Sequence, residues 1–196
     1  MIRRKPWVMQ ACLLGLLFVC MNCAAADLLS YCRQPDAAFK WQKESRTDVP
    51  NVGSRSTLRM TSQVWQGITW THRIEVLRPA QPAFPQTAIL VISGGEPSTN
   101  ASSIGMALAG KIGCTVVTLY NEPNQPLFGG KTEDALVAYT FKQYLETHDP
   151  TWPLLLPMTK SAVRAMDAAQ AFLKQEFGSD IRNFVVTGAS KRGWTT

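Results

Sequence analysis

The stretch that most constrains this chain is Val185-Val186-Thr187-Gly188-Ala189-Ser190-Lys191-Arg192-Gly193. It reads as a buried strand that turns sharply and starts a helix, with a serine at the apex. Such a turn belongs to a chain in which strands and helices alternate over a largely parallel sheet. Ser190 comes late: six residues follow it, ending at Thr196.

The residues upstream supply that alternation. Thr87 to Ser93, with the core Ala88-Ile89-Leu90-Val91-Ile92, is a continuous apolar run, as in a strand buried on both faces. Gly94-Gly95-Glu96-Pro97 follows at once. Paired glycines at the carboxyl end of a buried strand let the backbone turn tightly or expose an N–H, and ligands sit at that end of an open α/β sheet. They serve either an oxyanion loop or a plain turn. Ser102 to Lys111 reads as a short helix with Ile104, Leu108 and Ile112 along one side, stopped by Gly113. Cys114 to Tyr120 reads as a second buried strand. Ahead of this unit, Leu58–Trp65 and Ile68–Arg78 read as two strands around a tight Gln66-Gly67 turn. Trp70, His72, Ile74 and Val76 share one face of the second, which makes His72 a strand residue rather than a catalytic one.

Residues 121–159 read as an insertion. Thr132 can cap a helix whose first turn holds Glu133 and Asp134. Val137, Phe141 and Tyr144 recur at helical spacing, and His148-Asp149-Pro150 closes the helix. An irregular stretch from Trp152 to Pro157 follows. A segment of this length either shapes a binding site or is packing. Lys160 to Phe177 is the clearest helix, with Ala162, Met166, Ala169 and Leu173 on one face and Gly178 as its stop. Ile181 to Thr187 reads as a third buried strand, running into the turn at Ser190.

The N-terminus reads as a signal peptide over residues 1–26. Arg3-Arg4-Lys5 precede an apolar run from Val8 to Val19, and Ala24-Ala25-Ala26 offer small residues for cleavage. The run is short for a membrane span of about 20 residues, so an uncleaved anchor or a lipidated Cys20 or Cys23 is the lesser reading. Periplasmic or secreted placement follows. Residues 27–56 read as a lead-in to a domain over 57–196. The net charge is +6, of which the first 26 residues hold three positive charges and no negative ones, leaving +3. The remaining charges form no block, which excludes a nucleic-acid footprint. Beyond residue 26 the cysteines are Cys32 and Cys114: either a bridge, which an oxidising compartment permits, or two buried thiols. The sequence has no CxxC pair and no metal-spaced histidine set, so neither metal nor cofactor is expected.

Ser190 at such an apex is positioned as a nucleophile, in a nucleophile elbow. The turn would expose its hydroxyl and aim the backbone N–H of Lys191 at a developing oxyanion, with Gly94, Gly95 and Glu96 as the facing loop. The usual G-x-S-x-G pattern is only partly met: Gly188 stands two before Ser190, but Arg192 stands two after, and Gly193 comes one later. A guanidinium there can contact substrate or the oxyanion. The duller alternative makes Ser190 a helix cap. In folds of this kind the triad acid and histidine follow the serine, whereas His72 and His148 precede it.

Gly188-Ala189-Ser190-Lys191-Arg192-Gly193-Trp194, with Val91-Ile92-Ser93-Gly94-Gly95, resembles the PhoPQ-activated pathogenicity-related protein family over about residues 50–196. That family is similar to the α/β-hydrolases. The resemblance implies a bacterial, exported protein with Ser190 as nucleophile and Lys191 to Trp194 completing the motif. The order Ser190-Lys191-Arg192 also resembles glucuronoyl esterases, whose arginine assists the oxyanion. The expected fold is an α/β three-layer αβα sandwich of the α/β-hydrolase type, cut short after the elbow strand. The expected function is exported serine-hydrolase-like action on ester or amide bonds, inactive as this fragment because acid and histidine are missing. Its substrate would be a small molecule, a peptide or an envelope component. The alternative is a non-catalytic exported α/β domain that binds an envelope component or a protein partner.

Overall fold

A computed structural model describes residues 27–196. The signal-peptide, anchor and lipidation readings lie outside them. The elements, in order, are α1 (Leu28–Arg33), β1 (Lys40–Val49), β2 (Gly53–Trp65), β3 (Ile68–Pro79), β4 (Thr87–Ile92), α2 (Thr99–Ile112), β5 (Thr115–Leu119), α3 (Glu133–Thr147), α4 (Leu155–Phe177), β6 (Asn183–Gly188) and α5 (Lys191–Thr195). The strands form one open mixed sheet in the order β1-β2-β3-β5-β4-β6. β1, β2, β3 and β5 pair antiparallel in succession, whereas β4 lies parallel to both β5 and β6. Helices α2 and α4 pack against this sheet, giving an α/β architecture with an open mixed sheet. The lead-in residues hold α1 and β1.

The hairpin between β2 and β3 turns at Gln66 and Gly67, both with positive φ (48° and 73°), which matches the twist of the flanking strands. On β3, Trp70, His72, Ile74 and Val76 are all buried on one face. Glu75 and Leu77, on the other face, are buried as well because α2 lies over them.

The largest core lies between the sheet and α4. Leu58, Ile74, Leu90 and Val117 meet Ala162, Ala165, Ala169 and Phe172 there. The alanines let the helix sit close to the strands, as the sequence suggests. This helix begins at Leu155 rather than Lys160. Pro157 is tolerated because first-turn N–H groups have no helical partner. A second cluster joins Trp65 and Trp70 to Leu127, Leu136, Leu154 and Met158, so residues 121–159 pack on the β2–β3 hairpin.

Three sequence expectations are corrected. Ile104, Leu108 and Ile112 of α2 do not face the core; Ile104 is 62% exposed. The helix instead turns Gly105 and Ala109 to the sheet. A Cβ at Gly105 would come within 2.5 Å of Leu77 Cδ1, so only the glycine side permits this approach. In α3 the buried positions are Leu136 and Thr140, with Phe141 and Tyr144 exposed, because the helix packs through the face offset from the aromatic one. β6 is not buried on both faces. It is an edge strand, and Val185 is 58% exposed. Of the two readings of Cys32 and Cys114 the buried-thiol one holds: both are free and buried, and Cys114 Sγ donates to Thr87 O at 2.9 Å.

Candidate active site

β4, β5 and β6 all end at the same edge of the sheet, and their following loops carry the candidate residues. Ser190 occupies the bend between β6 and α5 with φ 56° and ψ −124°. That left-handed φ costs a non-glycine residue on the order of 1–3 kcal/mol. Its side chain is exposed and forms no capping hydrogen bond to α5. The serine is thus strained and exposed, and its side chain does not cap α5. Gly188 makes the bend possible, since a Cβ there would lie 2.5 Å from Arg192 O. Lys191 is the first residue of α5, so its N–H has no carbonyl partner within the helix.

Gly94, Gly95, Glu133, Ala189 and Arg192 line one open cleft of about 360 Å³ at this edge. The Gly95 N–H is held by Ser93 Oγ at 3.2 Å. A Cβ on Gly94 would run into the Arg192 guanidinium, so glycine is required for the arginine to pass. Glu96 faces elsewhere. It lines a neighbouring cleft of about 500 Å³ with Arg59, Thr71, Arg73 and Asn121, whose floor is His72.

Arg192 is fully engaged inside the protein. Its Nε donates to Glu122 O at 2.6 Å, and its two terminal nitrogens donate to the two carboxylate oxygens of Glu133 at 2.8 and 2.6 Å. Bidentate pairing of this kind fixes both partners. Lys191 Nζ adds contacts to Glu133 at 3.3 Å and Asp134 at 2.9 Å. The hydrogen bonds from Arg192, first of all, hold the Glu133 carboxyl down at about 2. Glu133 has φ 48°, and Gln125 grips it twice: Gln125 Nε2 donates to its carboxylate at 2.6 Å and Gln125 Oε1 accepts its backbone N–H at 2.8 Å. Thr132 stands at the N-cap of α3 but makes no side-chain cap bond; Gln125 takes that role.

Beneath this clamp lies a buried polar group of residues. His72 Nδ1 faces the carbonyls of Tyr120 and Asn121 at 3.3 and 3.1 Å, which can only accept, so Nδ1 carries the proton. Nε2 then accepts from Ser62 Oγ at 3.1 Å, and Ser161 Oγ follows at 3.0 Å. Burial pushes His72 down to about 4. Glu122 is fully buried, and neither carboxyl oxygen has a hydrogen-bond partner. Desolvation raises its carboxyl well above the ordinary value, against the pull of Arg192. His72 Nδ1 and Glu122 Oε2 approach at 3.8 Å, and burial favours the neutral form of each. His148 caps the C-terminus of α3 in a left-handed conformation (φ 57°). Neither histidine hydrogen-bonds Ser190.

The sequence pointed to Ser190, Lys191, Arg192 and the Gly94-Gly95 loop. It did not single out Glu133, Gln125 or Glu122. Glu133 read as an ordinary first-turn acid, and Asn121 to Pro126 as a turn cluster. The available signal was the acid-and-amide content of that cluster ahead of a basic elbow.

A family model described as PhoPQ-activated pathogenicity-related protein matches residues 28–196. The chain belongs to this family. The autocrine proliferation repressor protein A of Dictyostelium discoideum, similar to it, is 34% identical over 200 aligned positions, which take in 94% of this chain and 40% of that protein. The chain therefore spans well under half of that relative's length. Among solved structures it has partial likeness to a glucuronoyl esterase from Solibacter usitatus, with a TM-score of 0.48 and 15% identity over 82% of this chain and 47% of the other. Likeness to an S-formylglutathione hydrolase from Agrobacterium tumefaciens has a TM-score of 0.40 and 19% identity over 78% and 54%. Among the described residues, no group of histidine, cysteine and carboxylate side chains is arranged to hold a metal ion, and no helix is long and apolar enough to cross a membrane.

Proposed function

We propose that residues 27–196 act by binding rather than by cleaving: a hydrolase-type α/β domain, exported to the periplasm or beyond, that engages an envelope component or protein partner at the cleft beside Ser190. One observation carries this reading: among the described residues no histidine ring hydrogen-bonds Ser190, and the cap that His148 makes on α3 is through its backbone N–H. His72 is buried with both ring nitrogens engaged. A serine hydroxyl without a base nearby is a weak nucleophile.

A second reading is favoured by the strained bend itself. In it Ser190 attacks an ester or amide carbonyl, with the Lys191 N–H and the Gly94-Gly95 loop receiving the oxyanion, once an acid and a histidine reach it from outside residues 27–196. Arg192 then positions the elbow through Glu133. A fluorophosphonate probe and an activated ester, applied to this chain and to its Ser190→Ala variant, separate the two. Binding alone predicts no turnover by either. Turnover lost in Ser190→Ala would establish the catalytic reading for this chain.

A further inference from the structure

On the face of the sheet opposite α4, the tip of the β1–β2 hairpin and helix α2 enclose a groove of about 510 Å³. That volume lies within the usual range for small-molecule sites. Val49, Val52, Leu77, Met106 and Ala107 give it a mainly apolar lining. Val49 and Val52 are 42% and 47% exposed and so present apolar surface to the groove. The groove follows α2 from Thr99 to Lys111, about 18 Å at the helical rise.

Its charges are one-sided. No acidic side chain lines it. Arg55, at the Ser102 end, pairs through Nε with the buried Glu75 carboxyl at 2.5 Å, which Ser102 also binds. Lys111, at the other end, is exposed and has no ion-pair partner among the described residues. We infer that this groove binds a single-chain amphiphile with an anionic head, a long-chain carboxylate, its head at Lys111 and its chain laid against Val49, Val52 and Met106. The apolar lining removes the chain from water, and the adaptable Met106 thioether accommodates its bends. The inference is independent of Ser190 and of its chemistry.

The test is a calorimetric titration of the 196-residue chain with monomeric dodecanoate, with dodecanol as the neutral control. One saturable site per chain is expected, with dodecanoate bound more tightly than dodecanol. Gly110 lines the groove and has open space around an added Cβ, so Gly110→Leu fills it. Leucine is also the better helix former, so the variant should fold. It should lose affinity by about tenfold or more. Lys111→Gln should weaken dodecanoate up to about fivefold and leave dodecanol unchanged. Ser190→Ala should bind as the unaltered chain does. An absence of saturable binding would overturn the inference. So would undiminished binding by a folded Gly110→Leu, or binding confined to phosphatidylglycerol vesicles.

Discussion

At the scale of single residues, two glutamates titrate in opposite directions. Glu133 is held at about 2 by its hydrogen bonds to Arg192, below its ordinary 4.5. A depressed carboxyl stabilises the fold above the unfolded value, and that contribution fades as pH falls from 4.5 to about 2. Glu133→Gln should therefore cost about 1 kcal/mol at pH 7, modest because the carboxylate is part-exposed. It should also flatten the stability profile between pH 4.5 and 2 in urea titrations. Glu122 is the reverse case. Burial favours its protonated carboxyl, while the unfolded chain releases the proton above the ordinary 4.5. Stability then falls as pH rises from 4.5 towards the folded value. Glu122→Gln should leave acid stability unchanged and raise the urea midpoint at pH 7. A lowered midpoint would show that the unpartnered carboxyl is needed ionised.

At the scale of elements, the β6–α5 bend balances strain against close packing. Ser190 sits at φ 56° without a side-chain bond to repay it. Ser190→Gly should therefore stabilise the chain by about 1 kcal/mol, whereas Ser190→Ala should change little. Gly188 behaves oppositely, because an added methyl meets the carbonyl of Arg192. Gly188→Ala should cost on the order of 1–3 kcal/mol, read as a lowered thermal midpoint. The bend is in turn fastened to the start of α3 by Arg192 and Glu133, so residues 121–133 and the elbow should loosen together.

At the scale of the whole molecule, the sheet has an open side. Among the described residues β6 pairs with β4 alone, and Val185 (58%) and Trp194 (63%) are exposed. Ile104 and Leu108 of α2 are exposed as well. Unpaired edge groups flanked by apolar side chains invite association between chains. This chain should self-associate with rising concentration in sedimentation velocity runs. Val185→Lys, which places a charge on the exposed face of the edge strand, should shift it towards monomer.

The residues by themselves determined the alternation of elements, because periodicity and glycine placement are local properties. The continuous run of Thr87–Ile92, the Gln66-Gly67 turn, the alanine face of α4 and the bend at Ser190 were all readable in this way. Only the tertiary structure decided which face of α2 meets the sheet, since both faces carry apolar residues and the choice rests on Gly105 fitting against Leu77. It also decided the partners of Arg192. Glu133 lies 59 positions away in the chain, and no local pattern links the two. The same holds for Glu122, a loop acid by sequence, whose burial arises where β5, α4 and the elbow converge. Long-range convergence sets the charge state of a side chain, and it is the part of the site that spacing along the chain does not encode.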